Sequence, residues 1–242
     1  MILSAPDEMY VEHIKKALGA FDRIFPVYQY SLKRIFNIPN NELESCLRDM
    51  IKYHDLGKLT ERWQGRLEDK RLTGSIPHAS IGAAYLWRKW GKIYDELSDL
   101  RHAVCFAVCI HHVDSGLIGE NIERPDVQAV ITNLIDQFTG EIIWCKEAVS
   151  LDGELFPEDV SKLNVSDLRD MANGLRIWSR GCGLHEQHRR RIMTAAVHHV
   201  LKLCDFLAAS YRARDENNNQ WQNIPYVRSM MRYLEKFKGG LI

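Results

Sequence analysis

The stretch HEQHRRRIMTAAVHHVLKLCDFLAASYRA, residues 185–213, constrains the fold more than any other part of the chain. Its apolar residues recur at helical spacing, and around Leu201, Leu203, Cys204, Phe206 and Leu207 they cover nearly the whole circumference, which predicts a long helix buried at its centre. The same period predicts a first helix with an inner face of Tyr10, His13, Ile14, Ala17 and Phe21. Further helices are expected at about 27–36, 41–53, 77–92, 97–112, 122–139 and 225–238, separated by Pro, Gly or Asn. Ser4-Ala5-Pro6-Asp7 reads as a capping box with proline in the first turn. No regular alternation marks a large sheet. The expectation is an all-α fold in one domain over 1–242. Residues 140–165 are open to two readings, one short β-hairpin around Asp152-Gly153 or an irregular insertion.

Charge narrows little. Lys and Arg number 32 and so do Asp and Glu, so no overall field announces a nucleic-acid partner, although a local basic groove is invisible in a total. The N-terminus MILSAPDEMY lacks a basic stretch followed by an apolar one, and no eighteen apolar residues run together. That pattern predicts a soluble, cytoplasmic protein with no membrane partner. The six cysteines show no C-x-x-C spacing, and four lie in apolar helical runs where the reduced residue acts as a small hydrophobe. A reducing compartment fits them.

The chemistry begins at KYHDLGKL, residues 52–59, where His54-Asp55 closes a helical run before Gly57. An inward His is ordinarily a hydrogen-bonded core residue, and a single Asp ordinarily meets solvent or an arginine. Here the set matters: His13, His54, Asp55, His78, His111, His112 and Asp205 all fall at inward-facing or terminal positions of expected helices. Asp205 sits among apolar neighbours, where a carboxylate costs several kcal/mol unless it is paired or bound to a cation. His111 and His112 diverge by about 100° and reach one site only from a helix end. Oxygen and imidazole donors without thiolate suit Mg²⁺, Mn²⁺, Fe, Co²⁺ or Ni²⁺ better than structural zinc. Adjacent His54 and Asp55 suit a two-metal centre, because one carboxylate can lend an oxygen to each of two ions about 3.5 to 4 Å apart. Lys58, one turn on, could hold a phosphate oxygen.

In that order, H…HD-x-x-K…H…HH…D, the chain resembles the HD-domain superfamily of metal-dependent phosphohydrolases. More narrowly, it is similar to the HD nuclease of the CRISPR-associated Cas3 proteins in its stand-alone form, Cas3 double-prime. That likeness rests on HDLGKLTERWQGRL at 54–67 with its Trp63-Gln64 step, IPHAS at 76–80, CIHHVDSG at 109–116 and LCDFLAAS at 203–210. The resemblance implies an all-α fold with a central site and metal-dependent cleavage of DNA, preferentially single-stranded, by endo- or exonuclease action. By position, His13, His54, Asp55 and Asp205 would hold one metal and Asp55, His78, His111 and His112 the other. Asp55 and Lys58 would be the catalytic pair. No G-x-x-x-x-G-K-[ST] loop is present. The resemblance therefore implies a separate Cas3 helicase subunit and a CRISPR effector complex as partners. Rival functions that share these ligands are hydrolysis of nucleotides or cyclic nucleotides, and a non-catalytic subunit stabilised by metal.

Weaker signals surround this set. Cys105, Cys109 and His112 are spaced like a metal edge but lie in an apolar run with no fourth ligand. His198 shares a helical face with Asp205, as a support for the site or a core residue. Arg189, Arg190 and Arg191 are either a solvated face or a guide for a phosphate backbone. Trp87, Trp90, Trp144, Trp178 and Trp221 are either buried packing or stacking platforms for single strands. His102 has no assigned role.

Overall fold

The computed structural model describes residues 1–68, 77–91, 98–112 and 128–210, together with Ser229 and Arg232. Among them lie eight α-helices: α1 (Tyr10–Phe36), α2 (Asn40–Tyr53), α3 (Glu61–Glu68), α4 (Ala79–Lys89), α5 (Ser98–Cys109), α6 (Gln128–Leu134), α7 (Val165–Arg180) and α8 (Leu184–Ser210). The strands are β1 (Leu3–Ala5) and β2 (Glu8–Met9), an antiparallel pair ahead of α1. The all-α expectation holds.

The long apolar helix is where the core forms. α8 is long and apolar enough to cross a membrane by length and composition, and half of its most apolar window is buried within the fold. It packs along α1 on one side and α5 on the other. Val197, Val200, Leu201, Leu203 and Cys204 are fully enclosed. α1 supplies Ile14, Ala17, Phe21 and Ile24 to the same core, and α4 and α5 close it with Ile81, Leu86, Val104 and Phe106.

Several local expectations change. Ser4 to Asp7 is not a helix cap: Ser4 and Ala5 belong to β1, Pro6 and Asp7 turn the chain into β2, and Ser4 Oγ donates to the Glu8 carboxylate at 2.9 Å. α1 starts at Tyr10 behind Met9, which makes no side-chain cap bond. α1 then runs through Pro26 without a break. Proline removes one backbone bond, but the buried stripe of Phe21, Ile24, Phe25, Leu32 and Phe36 holds the helix on the core to either side. It stops at Asn37, whose left-handed φ of 54° is one asparagine tolerates.

Residues 140–165 hold no hairpin. Asp152 starts a turn by accepting from Glu154 N at 3.0 Å, 3-10 turns occupy Ala148–Ser150 and Glu158–Lys162, and isolated bridges pair Ile135 with Ile142, Glu141 with Asn164 and Thr60 with Trp144. The irregular alternative is the one observed. α3 and α7 are additions to the expected helices. α7 opens on a capping box, with Ser166 N donating to Asn164 Oδ1 at 2.8 Å and Asn164 N to Asp167 Oδ2 at 3.0 Å. The helix expected at 122–139 is α6, which ends at Leu134. Its first expected residues, residues 211–213 and most of 225–238 lie outside the described residues.

Two glycines set how closely the elements carrying the site approach. A Cβ on Gly82 of α4 would stand 2.2 Å from the Tyr53 carbonyl oxygen and 2.8 Å from that of His54. One on Gly57 would stand 2.3 Å from the His78 carbonyl oxygen. The start of α4 therefore lies directly against the His54-Asp55 corner, at a distance only hydrogen allows.

Candidate metal centre

The last turn of α2 delivers His54, and the chain then tightens into a 3-10 turn, Leu56–Leu59, that points Asp55 and Lys58 the same way. Lys58 N bonds Asp55 O at 2.9 Å. Asp55 is fully buried, and its two oxygens face different groups. Oδ1 is 3.2 Å from His78 Nε2, 3.3 Å from His111 Nε2 and 3.8 Å from His112 Nε2. Oδ2 is 3.5 Å from His13 Nε2, 3.4 Å from His54 Nε2 and 2.6 Å from Lys58 Nζ. Asp205 Oδ1 adds contacts of 3.3 Å to His13 Nε2 and 3.9 Å to His54 Nε2.

Each contributor reaches the centre for a local reason. His78 is the residue just ahead of α4 and accepts Ile81 N at 3.1 Å. At the end of α5 the backbone closes early, His111 N bonding Val108 O at 3.3 Å, and this tightening lets His111 and His112 face one point. Lys202 of α8 caps that end by donating to His111 O at 2.9 Å. His54 Nδ1 donates to Ile51 O at 2.8 Å and His111 Nδ1 to Val108 O at 2.6 Å. Those bonds put a proton on Nδ1 and aim Nε2 at the centre.

Two groupings result, each with donor atoms within 4.8 Å of one another: Asp55, His78, His111 and His112, and His13, His54, Asp55 and Asp205. Asp55 belongs to both. A divalent cation fits them on the chain's own chemistry. His13 Nε2, His54 Nε2 and Asp55 Oδ2 are buried atoms with no hydrogen-bond partner of acceptable geometry, although Lys58 stands close to the last. The Tyr10 hydroxyl shares that state. Buried polar atoms left so are costly, and His112 Nε2 stands 2.8 Å from His78 Nε2, so two ring nitrogens converge where a proton or cation must lie between them.

Protonation follows burial and charge. Burial pushes His78 down to about 4, against the opposing hydrogen bond to Asp55, and pushes His111 down in the same direction. For His13 burial also lowers the pKa, but the facing carboxylates of Asp205 and Glu8 outweigh it and raise the value to about 9. Burial works to raise the carboxyl pKa of both Asp55 and Asp205, yet both are held well below the usual range. For Asp55 the charges of His54 and Lys58 prevail, and for Asp205 the facing imidazoles of His13 and His54 do.

No family model and no curated protein matches the chain. Among solved structures, the CRISPR-associated Cas3 HD domain protein from Methanocaldococcus jannaschii superposes with a TM-score of 0.63 at 16% identity, over 83% of this chain and 98% of that one. The chain has the HD-domain fold. In this fold the centre opens to solvent on the side of His112, whose side chain is 46% exposed, and of Asp205 at 18%. Asp205 is therefore less enclosed than its apolar neighbours suggest.

Other singled-out residues lie elsewhere. Arg189 pairs with Glu186 at 2.6 Å and also with Asp99. Arg190 pairs with Glu186, donates to Trp178 O and lies over the Trp178 ring. Arg189, Arg190 and Arg191 begin about 24 Å along α8 from Asp205 at the helical rise. The first two are thus engaged in joining α8 to α5 and α7 rather than lining the centre. Trp90 and Trp178 are buried, and Trp178 stacks on His102 at 5.3 Å; Trp221 lies outside the described residues. Cys109 packs against Met171, and His199 bonds the Tyr28 hydroxyl.

Two residues to which the sequence reading gave no place in the site support the centre. Glu8, buried, contacts His13 Nδ1 at 3.0 Å through Oε2. Gln64 donates to Lys58 O at 2.7 Å and to Leu3 O at 2.8 Å. Gln64 had a signal in the Trp63-Gln64 step. Glu8 had none, because only the hairpin turns it inward.

Proposed function

We propose that this HD domain is a metal-dependent phosphodiesterase that cuts single-stranded DNA. The observation that carries the reading is Asp55: one buried carboxylate whose two oxygens serve two imidazole-rich groupings, with Lys58 Nζ 2.6 Å away. Two divalent ions held by His13, His54, Asp55 and Asp205 on one side, and by Asp55, His78, His111 and His112 on the other, would supply Lewis acidity and a water nucleophile at neutral pH. Asp55, common to both groupings, would be the ligand that the two ions share. Lys58, at the edge of the same carboxylate, is placed to bind a non-bridging phosphate oxygen and offset its charge. His112 and Asp205 line the side from which a strand enters.

The choice of DNA draws on the solved Cas3 HD domain it superposes on and on the motif likeness around Trp63-Gln64. The same likeness supports a cytoplasmic role in CRISPR interference, with a separate helicase subunit and an effector complex presenting strands already opened. The test is hydrolysis of a labelled single-stranded oligonucleotide with Mg²⁺, Mn²⁺, Co²⁺ or Ni²⁺, beside duplex DNA, RNA and a panel of nucleotides and cyclic nucleotides. His54→Ala and Asp55→Ala are expected to abolish cleavage while circular dichroism stays unchanged. Turnover of the nucleotide panel alone would replace the substrate, and bound metal without any turnover would replace the activity.

A further inference from the structure

The imidazoles around Asp55 are not backed alike. His54 and His111 each donate from Nδ1 to a carbonyl of their own helix, Ile51 and Val108. His13 faces a carboxylate instead. Glu8 Oε2 lies 3.0 Å from His13 Nδ1, on the far side of the ring from the Nε2 atom that meets Asp55 and Asp205. Glu8 is only 2% exposed, and it is held in turn by Ser4 Oγ at 2.9 Å and Lys16 Nζ at 3.3 Å. With Oε2 on Nδ1 and Oε1 toward Lys16, Glu8 is turned away from the ion positions.

Resting on the metal-centre reading above, we infer that Glu8 is the positioning residue for His13, the outer carboxylate of a carboxylate–histidine–metal chain, and that the N-terminal hairpin is the brace that delivers it. Accepting the Nδ1 proton fixes the ring in one tautomer and orientation. The negative charge behind it makes Nε2 a stronger donor to a cation. The brace has a second foot at the same centre: Gln64 takes both backbone groups of Leu3 in β1 and donates to Lys58 O. One hairpin therefore holds His13 through Glu8 and the Lys58 turn through Gln64. A carboxylate serving stability alone would be satisfied by Lys16 and Ser4 without facing a ring whose other nitrogen enters the centre.

The experiment measures metal and not turnover. The full chain as wild type, Glu8→Gln and Glu8→Ala is dialysed against graded Mn²⁺, bound metal is counted, and paramagnetic resonance distinguishes paired from single Mn²⁺. Wild type is expected to bind two ions. Glu8→Ala is expected to lose about 10- to 100-fold in affinity for one of them, with the paired signal giving way to the single one, while the other ion is retained. Glu8→Gln, which keeps an acceptor for Nδ1–H without the charge, is expected to fall between. Variants that melt earlier but, while folded, bind both ions with wild-type affinity overturn the role. Should both fail to fold, wild-type ¹⁵N spectra decide: the inference requires that on addition of Zn²⁺ His13 keeps its Nδ1 proton while its Nε2 resonance shifts, and a zinc-loaded ring protonated on Nε2 instead, or an unshifted Nε2, overturns it. A wild type that binds no Mn²⁺ overturns the metal centre as well. Two ions in wild type and in both variants overturn Glu8 alone.

Discussion

Replacing Gly82 with alanine tests whether the centre depends on the close approach of α4. The new Cβ would lie 2.2 Å from the Tyr53 carbonyl oxygen, with the His54 carbonyl oxygen at 2.8 Å. Both obstacles are backbone, so no side chain can swing aside. α4 must retreat by about 1 Å to restore ordinary contact. The strain of such overpacking typically costs about 1–3 kcal/mol. His78 sits one turn before Gly82 and moves with it, away from an Asp55 oxygen now 3.2 Å off. The grouping of Asp55, His78, His111 and His112 then loses a donor, whereas His13 and Asp205, on α1 and α8, keep their places. Gly82→Ala is expected to bind one Mn²⁺ in place of two and to unfold at lower urea. A displacement of about 1 Å is also enough to cost on the order of 100-fold in rate where geometry governs a reaction. Gly65→Ala is the control, since nothing lies within 4 Å of its Cβ position, and a helix-interior Gly→Ala there is expected to stabilise by about 1 kcal/mol. Wild-type metal content and stability in Gly82→Ala would refute the argument that only hydrogen fits between α4 and the His54 corner.

Lys58→Ala is expected to leave metal content intact while lowering kcat on an oligonucleotide by about 100-fold or more; loss of metal instead would make Lys58 a structural partner of Asp55. Metal-free protein is expected to be most stable near pH 6.5. The His13 value, raised to about 9, contributes stability that is complete below the unfolded value and lost as pH rises through 9, while His78, lowered to about 4, contributes stability lost as pH falls toward 4. Urea titrations from pH 4 to 10 would show a dome, and a flat profile would contradict both shifts. Metal loading near pH 7.5 is expected to release a proton from His13, read as a dependence of calorimetric heat on buffer ionisation enthalpy. Arg189→Ala is expected to leave cleavage and its salt dependence within about twofold and to cost at most about 1 kcal/mol, as suits a partly exposed pair; a shallower salt slope would return that arginine to strand binding.

Much of the centre was legible because metal donors impose residue type. His54, Asp55, His78, His111 and His112 are polar residues at the ends of apolar runs, and such positions stand out in a chain read for periodicity. Helix ends were less legible. Pro26 reads as a stop, yet the stripe on either side of it has a core to lie against, and tertiary burial overrides one missing hydrogen bond. Asn164 and Asp167 carried the signature of a helix start that Ser4 to Asp7 only resembled. Both patterns have the right letters, and what separates them is whether the following residues have an apolar face to bury. Glu8 shows the limit more sharply, since its role depends on a two-strand turn too short to show a period.

α1 and α8 lie side by side although one opens the described helices and the other closes them. The donors of the Asp55, His78, His111 and His112 grouping all come before residue 113, whereas the other lacks Asp205 until nearly the whole of α8 has been made. At about 5–20 residues per second, synthesis takes roughly 5–20 s to pass from one to the other. For that interval the donors of one grouping exist without Asp205, so the other can be completed only once α8 has been made and docks against α1.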